Sequence, residues 1–400
     1  MRAATNSVFH TSRKEHFMQK SDMTSRGDKP DWYLGSQAPS FGDYFGSVSS
    51  LAVGETYLTY DRKYIVHRVA ATEFHVSRNA CAHAGAPILE TPGVQDVDNL
   101  RCPIHKWTYD LKGQLKAAPQ FKSCHGVSLS KPDVALWNGN LVGFRKEETE
   151  SLSRFGASLS LPRGAFDTSA FVFMGEERYP IPYPRELMLV NYFDGYHVPL
   201  YHQKTFAAVA NCDSYAWEFS EQGAKVGYSI QVVRARSDVE KERRFLMQRG
   251  LAEEDIGWAT FHLWIRDEFK SVERPIDADI FAVWASLYGN GFLMPELYEG
   301  GLFLAMSYLV NEDPGNAETG NANLVEYYVH KNVPEARRKE AARRFQHAYE
   351  QSAREDDEIC ETLYRSHRHR NFSDNRIYHQ FLEAGDVHWR EWYKLKSRFK

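Results

Sequence analysis

The sequence lacks the features that would place the protein in a membrane, on a secretory route or on nucleic acid. None of its apolar runs reaches about 18 residues, the length that a membrane-spanning helix requires, and the N-terminal region has no apolar segment typical of a signal peptide. The 49 Lys and Arg residues and 53 Asp and Glu residues leave a net charge of −4, which offers no attraction to a polyanion. We therefore expect a cytoplasmic protein with neither nucleic acid nor membrane as a partner.

Cysteine is scarce, and the five cysteines do not form the paired pattern of a disulfide-stabilised domain. Cys124, Cys212 and Cys360 stand far apart, and we interpret them as reduced thiols, as in a cytoplasmic protein. With 400 residues, of which 42% are hydrophobic and 26% are charged, the chain has an ordinary globular composition and room for about two or three domains.

The two remaining cysteines each share a short segment with a histidine. Cys81 and His83 form a C-x-H pair, and Cys102 and His105 form a C-x-x-H pair. Two thiolates and two imidazoles are the ligands of a Rieske-type [2Fe–2S] cluster, in which histidines replace the cysteines on one iron. The same residue types could bind zinc, but zinc fingers usually pair Cys with Cys and His with His along the chain. The mixed pairs therefore favour the iron–sulfur cluster.

The hydrophobic pattern changes character near residue 150. Residues 47–144 alternate short β-branched and aromatic runs with turns, of which 110–113 and 137–140 are the clearest, and this pattern predicts a small antiparallel β domain. Beyond it, the apolar residues of 226–232 alternate with polar ones, as in a half-buried strand, and 302–310 and 324–329 are further strand candidates.

A long helix is predicted near the C-terminus, where Pro334 suits a first turn and the following residues to 365 are rich in Ala, Arg and Glu. The predicted fold class is α+β, with an antiparallel sheet covered by this helix. We predict three regions: a loosely ordered tail over residues 1–32, a small antiparallel β domain over 33–150, and a larger α+β domain over 151–400.

A second group of metal-binding residue types lies in the segment 191–202. Asp194 and His197 are three residues apart, so a helix would place them on one face. Pro199 would end that helix just after His197 and let the chain turn His202 back toward it. Two histidines and one carboxylate form the facial triad that binds Fe(II) in non-haem oxygenases. The H-x₄-H spacing alone also fits two unrelated histidines, but the cluster motif upstream favours iron.

The C-terminal helix supplies a candidate for the third ligand. At about 100° per residue, Asp356 lies in the middle of its apolar face, whereas Glu355, Asp357 and Glu358 are expected to point into solvent. A carboxylate on a buried face is costly unless it is paired or bound to a metal. A salt bridge to an arginine is the alternative, and the histidine pair favours iron.

These motifs together resemble the Rieske non-haem iron oxygenases, specifically their large catalytic (alpha) subunit. The similarity extends over most of the chain, from about residue 55 to residue 390. Its segments are R-N-A-C-A-H-A-G-A-P at 78–87, C-P-I-H-K-W-T-Y-D-L-K-G at 102–113, N-Y-F-D-G-Y-H-V-P-L-Y-H at 191–202, E-D-D-E-I at 355–359 and G-D-V-H-W-R-E-W at 385–392.

The resemblance implies a Rieske β domain joined to a helix-grip catalytic domain, in subunits that assemble as a homotrimer. It implies that electrons pass from the [2Fe–2S] cluster of one subunit to the mononuclear Fe(II) of the next, with Asp194 as the bridging acid. The chain has no G-x-G-x-x-G nucleotide fingerprint, so NAD(P)H electrons would arrive through a separate reductase, with or without a ferredoxin.

The function implied is that of a terminal oxygenase component, which uses O₂ to hydroxylate or oxidatively demethylate a small organic substrate. An aromatic or ring-containing substrate is the first expectation, and ring dihydroxylation is one possible outcome. The alternatives are a monooxygenase or N-demethylase of a small quaternary amine, and a Rieske-type electron carrier. The last would leave about 250 residues and the three iron ligands without a role.

Several positions depart from the usual family pattern, although none removes a ligand. Ala84 replaces an arginine, Lys106 replaces a glycine, and Val190 stands where a glutamate often precedes the asparagine. These departures leave the substrate open. Aromatic residues offered as candidate pocket walls, for a flat arene or for a cation–π cage, are Trp258, Phe261, Trp264 and Phe292.

Overall fold

The computed structural model describes residues 43–121, 125–150, 152–221, 224, 226–288, 293–313, 316, 320–368, 385, 388 and 389. The predicted tail over residues 1–32, together with Cys124 and Phe292, lies outside them, and only three residues of the segment 385–392 are described. Among the helices in the described part, none is long and apolar enough to cross a membrane.

The first hundred described residues form a small β domain of ten short strands in three antiparallel sheets, with strand orders β1-β10-β9, β4-β3-β2-β5 and β6-β7-β8. The strands are β1 (Tyr44–Ser47), β2 (Thr56–Leu58), β3 (Tyr64–Ala70), β4 (Glu73–Arg78), β5 (Gly93–Gln95), β6 (Leu100–Arg101), β7 (Thr108–Tyr109), β8 (Leu115–Ala117), β9 (Ala135–Trp137) and β10 (Asn140–Val142).

Both predicted turns of this domain are confirmed. Residues 110–113 connect β7 to β8, and Asn138 and Gly139 connect β9 to β10 with φ angles of 46° and 70°. Two left-handed residues in a two-residue hairpin give the turn whose twist matches that of paired strands, and an Asn-Gly sequence adopts it readily.

The rest of the chain is built on one seven-stranded antiparallel sheet of order β11-β17-β16-β15-β14-β13-β12. Its strands are β11 (Phe171–Ile181), β12 (Ala216–Phe219), β13 (Gly227–Arg234), β14 (Ile280–Tyr288), β15 (Leu293–Tyr298), β16 (Phe303–Asn311) and β17 (Asn321–His330). The helices are α1 (Lys146–Glu150), α2 (Arg185–Phe193), α3 (Val198–Tyr201), α4 (Val239–Gln248), α5 (Gly257–Glu268) and α6 (Glu335–Arg368). The predicted α+β class is confirmed.

The large sheet is buried on both faces, so the half-buried strand predicted around 226–232 is wrong in one respect. The apolar residues of β13 are buried, but Ser229 and Gln231 between them are only 3% and 2% exposed. One face of the sheet packs on the small domain, in a cluster that joins Ile230 and Met306 to Tyr44. The other face packs against α5 and α6. Polar side chains on that second face therefore lie inside the protein.

The predicted C-terminal helix is confirmed as α6, which spans about 50 Å at the usual rise per residue. It begins directly after Pro334 and crosses α5 at Gly257, where a Cβ would lie 3.2 Å from the Cα of Ala348. This close approach brings the middle of α6 over the sheet and α2. The helix α2, which the sequence pattern did not predict, lies against α6.

Candidate functional site

The four predicted cluster ligands come together at the tips of two loops of the small domain. Cys81 and Cys102 are buried, at 3% and 1% exposed, in one cluster of the core. His83 and His105 are exposed, and their Nδ1 atoms lie 3.1 Å apart. Two buried sulfurs and two solvent-facing imidazoles on facing loops suit a cluster with one iron inside and one at the surface.

The two loops have the same backbone fold in spite of their different sequences. In each, the cysteine N–H donates to the carbonyl five residues later, at 2.8 Å, and the N–H of the fourth residue donates back to the cysteine carbonyl. That fourth residue is Gly85 in one loop and Lys106 in the other, with φ angles of 74° and 57°. The lysine noted above as a departure thus occupies a left-handed position that favours glycine.

Polar groups surround both sulfurs, and those around Cys102 favour its ionised form. Burial opposes ionisation of the Cys102 thiol, but the backbone N–H groups of Ile104 and His105 donate to it, and its pKa is lowered overall. The Tyr109 hydroxyl lies 3.2 Å from Cys81 Sγ and accepts a hydrogen bond from the N–H of Ala82. Because a thiolate is the form that binds metal, these donors fit the loops to a cluster.

The second predicted group is positioned differently from the prediction. Asp194 and His197 do not share a helix, because α2 ends at Phe193 and α3 begins at Val198. Pro199 does not end a helix either, since it lies in the first turn of α3, where a missing N–H costs nothing. Asp194 approaches His197 through a turn, in which its Oδ1 accepts from the N–H groups of Tyr196 and His197 at 2.8 and 3.2 Å.

The structure brings His197, His202 and Asp356 together, although Asp356 is 154 residues from His202. The two Nε2 atoms lie 3.1 Å apart, and Asp356 Oδ1 lies 3.0 Å from that of His202 and 3.4 Å from that of His197. Metal–ligand bonds of about 2.1 Å at right angles place adjacent donor atoms about 3 Å apart. The three atoms therefore have the spacing of one face of an octahedron, which fits Fe(II).

Without a cation, these groups compete for protons. Burial opposes charge on the His202 ring, but Asp356 and Glu355 outweigh it and raise its pKa to about 9. Burial also opposes charge on Asp356, yet the two histidines hold its pKa well below the usual range. Nδ1 of His197 is buried without a hydrogen-bond partner, with Asp194 Oδ2 3.4 Å away. A divalent cation would replace the shared proton and satisfy the three converging lone pairs.

Glu355 corrects the prediction that the acids flanking Asp356 point into solvent. It is only 7% exposed, and its Oε2 lies 2.7 Å from Nδ1 of His202 and accepts from the Thr205 hydroxyl. A carboxylate on the far nitrogen of a metal-binding imidazole fixes the tautomer and ring orientation. Asp357 is also engaged, by the Tyr183 hydroxyl, and only Glu358 lies in an exposed position, bonded to Tyr201.

Asn191 is a further residue of the site for which sequence reasoning assigned no role. It is buried in α2, and its Nδ2 donates to Asp356 Oδ1 at 2.5 Å. The contact holds the carboxylate oxygen that faces both histidines. The sequence did contain a signal for this role, because Asn191 lies one turn before Asp194 in the segment that also contains both histidines.

A cavity lies beside the three converging residues, with about 480 Å³ of empty space including its mouth. Its aromatic walls are Tyr192, Phe206, Trp284 and Tyr349, so the candidate walls Trp258, Phe261 and Trp264 were wrong. Trp258 belongs to the core behind the wall, where its ring stacks on Phe206 at 5.2 Å. The sheet also contributes Glu296 and Gln231, which no sequence motif indicated.

Comparison with known proteins gives concordant results. Residues 46–135 match a family model described as the Rieske [2Fe–2S] domain. Putrescine 2-hydroxylase of Ralstonia nicotianae is 30% identical over 323 residues, which cover 79% of this chain and 77% of that protein.

Solved structures resemble about nine-tenths of the chain. A quaternary ammonium Rieske monooxygenase, studied for carnitine oxidation and inter-subunit electron transfer, matches with a TM-score of 0.63 and 17% identity over 90% of this chain and 89% of that one. Naphthalene 1,2-dioxygenase from Rhodococcus sp. matches with a TM-score of 0.57 and 16% identity over 88% of each chain. At such identities the similarity shows the fold alone.

Proposed function

Because the chain belongs to the Rieske non-haem iron oxygenases, we propose that Cys81, His83, Cys102 and His105 bind its [2Fe–2S] cluster and that His197, His202 and Asp356 bind its mononuclear iron. The protein is a terminal oxygenase component, an oxidoreductase that uses O₂ and reductase-supplied electrons to hydroxylate or demethylate a small substrate. The observation that carries the iron assignment is the convergence of three donor atoms from distant segments at 3.0–3.4 Å.

When bound, the cluster supplies electrons one at a time and the mononuclear iron activates O₂. The chain's own residues prepare the site for this chemistry. Glu355 holds Nδ1 of His202, and Asn191 holds the Asp356 oxygen, so both ligands keep their orientation. The aromatic walls of the cavity exclude water around the substrate.

Within this function we assign the Rieske domain to residues 33–150 and the catalytic domain to residues 151–400.

The catalytic residue is Asp194, acting as a bridge for electrons between neighbouring subunits of a homotrimer. Its side chain stays 29% exposed while one oxygen lies near Nδ1 of His197, so a second imidazole can reach it. A carboxylate can accept from two imidazole N–H groups at once. The partners would be a reductase, with or without a ferredoxin, in the cytoplasm.

The iron assignment is tested with His197→Ala. Removal of one of three protein ligands should abolish iron binding at this site and all product formation, but leave the cluster absorption and its EPR signal after reduction intact. Iron analysis, spectroscopy and O₂ uptake measure the three properties. Full turnover by His197→Ala or by Asp356→Ala would contradict the triad.

The bridge is tested by mixing two inactive variants. Asp194→Asn should keep both metals, yet oxidise its reduced cluster slowly in the presence of substrate and O₂, because an amide cannot accept two N–H bonds equally. His83→Cys alters the cluster and keeps the iron site. In mixed trimers some interfaces pair a sound cluster with a sound bridge, so activity should partly return. Absence of recovery in verified mixed trimers would refute the inter-subunit route.

The substrate has two candidate classes. An aromatic ring, with dihydroxylation as one outcome, is one class, and the aromatic walls of the cavity suit its apolar surface. An aliphatic amine is the other, and it is supported by the putrescine hydroxylase and by the buried acid Glu296 in the cavity wall.

A further inference from the structure

Apart from the two proposed iron ligands His197 and His202, the charged side chains that line the iron cavity are acidic. Among the described residues around it, Asp194, Asp356 and Glu296 are acidic, and none is a lysine or an arginine. Asp356 faces the two histidines and Asp194 lies beside one of them, so both have a place in the iron site. Glu296 contacts neither histidine, and the metal site gives it no function.

Glu296 is held in place as a carboxylate acceptor. It lies on β15, is 2% exposed, and accepts from the hydroxyls of Tyr192 and Tyr349 at 3.1 and 2.9 Å and from Tyr298 at 2.6 Å. A carboxylate has about four acceptor positions, so three tyrosines leave one free. Within the described part of the chain, no lysine, arginine or histidine forms an ion pair with Glu296. A buried carboxylate without a counter-charge is costly, and burial raises the pKa of Glu296 to about 7, so a bound cation would favour its ionised form.

Two neighbours of Glu296 complete a site for a cation. The Gln231 side chain lines the same cavity, is 2% exposed, and has a buried Nε2 without a hydrogen-bond partner. Its amide can turn either its carbonyl oxygen or its NH₂ group toward a ligand. Trp284 is oriented by the hydrogen bond from its Nε1 to the Tyr298 hydroxyl, at 3.0 Å. Its indole ring forms part of the wall beside Phe206, and an aromatic face attracts a desolvated cation.

We propose that the substrate of this oxygenase is a small aliphatic ammonium cation, whose nitrogen is bound by the Glu296 carboxylate with the Gln231 amide and the Trp284 ring beside it. The inference rests on the proposed function, because it takes the cavity beside the iron ligands as the place of reaction. The wall residues disfavour an anionic substrate through like-charge repulsion, and a neutral arene would leave Glu296 without a counter-charge.

The chain offers a matched control in Glu326. This residue is also buried in the sheet and accepts hydrogen bonds from two tyrosines, Tyr44 and Tyr328. It lines a different cavity, between the small domain and the sheet, which contains none of the proposed iron ligands. Glu326→Gln therefore repeats the chemical change of Glu296→Gln away from the proposed substrate.

The experiment is calorimetric titration of the cluster- and iron-loaded protein without O₂. The ligands are putrescine, choline, their neutral analogues (butanediol, and the alcohol in which tert-butyl replaces trimethylammonium) and indole. At least one of the two cations should bind with an affinity at least about ten times that of its neutral analogue. Glu296→Gln should weaken binding of that cation by roughly 10- to 100-fold, as expected for the loss of a charge-assisted hydrogen bond to an ammonium N–H or of the counter-charge to a quaternary nitrogen. Glu326→Gln should leave its affinity unchanged. Iron content and the cluster spectrum show that each variant is intact.

The two cations distinguish a hydrogen-bonded ammonium, favoured by Glu296 and Gln231, from a quaternary one, favoured by the indole ring. The proposal is overturned if Glu296→Gln binds cations as the unmodified protein does, or if indole or the neutral analogues bind as tightly. It is also overturned if neither cation shows binding at ligand concentrations up to about 10 mM, which is well above the usual KM range of enzyme substrates. His197→Ala separates this result from failure of the iron assignment, because it should lose turnover yet still bind the cation.

Discussion

Substitution of Glu355 by glutamine tests whether the acid next to Asp356 supports the metal site. The Glu355 carboxylate lies 2.7 Å from His202 Nδ1 in a buried position, and glutamine preserves the shape and one acceptor oxygen but removes the charge. Loss of such a partner typically weakens metal binding 10- to 100-fold, or about 1 to 3 kcal/mol. Because glutamine can still accept from Nδ1–H, we expect a loss near tenfold at pH 7.

The effect should depend on pH in a direction that the structure fixes. In the metal-free protein, burial of His202 is outweighed by Asp356 and Glu355, which raise its pKa to about 9, so at pH 7 iron must displace a proton. Glu355→Gln lowers this pKa and therefore also reduces the proton's competition with iron. This partial compensation in the variant disappears at high pH, where the His202 ring is deprotonated in both the variant and the unmodified protein. The loss of iron affinity should thus grow from about pH 7 to about pH 9.

The assay is competition for Fe(II) with a chelator under anaerobic conditions, with cluster absorption as the internal reference. Glu358→Gln is the matched control, because Glu358 lies one turn along the same helix, is exposed, and contacts only the Tyr201 hydroxyl among the groups described. It should bind iron as the unmodified protein does. Equal iron affinity of Glu355→Gln and Glu358→Gln across this pH range would refute the role assigned to Glu355.

Two further predictions concern the cluster loops. Tyr109→Phe removes the hydroxyl 3.2 Å from Cys81 Sγ and should lower the reduction potential of the cluster by about 20 to 60 mV, the equivalent of one hydrogen bond to sulfur, in a redox titration followed by EPR. An unchanged potential would show that the hydroxyl does not act on the cluster. Gly85→Ala should destabilise the small domain by about 1 kcal/mol in thermal unfolding, since its φ is 74° with open space around the added Cβ, whereas Lys106→Gly should not. Equal destabilisation by both would contradict the strain argument.

The sequence by itself determined the features that depend on local spacing. The cluster ligands occupy two short segments whose backbone hydrogen bonds close within five residues, so residue type and spacing suffice to identify them. His197 and His202 lie five residues apart, at the two ends of α3, and are found in the same way. The backbone conformation around these histidines could not be predicted in the same way, because the sequence pattern of 191–202 does not show that α2 ends at Phe193 and that Pro199 lies in the first turn of a new helix.

The sequence indicated Asp356, but only the tertiary structure showed that Glu355 and Glu296 also lie at the site. Asp356 and Glu355 are adjacent on α6, which packs on α2 and the sheet. As a result, Asp356 contacts Nε2 of both histidines, whereas Glu355 contacts Nδ1 on the far side of the His202 ring. Glu296 and Gln231 look like the polar, outward residues of half-buried strands. They face the interior because the sheet is covered on both sides, a consequence of long-range packing that periodicity along one strand does not encode.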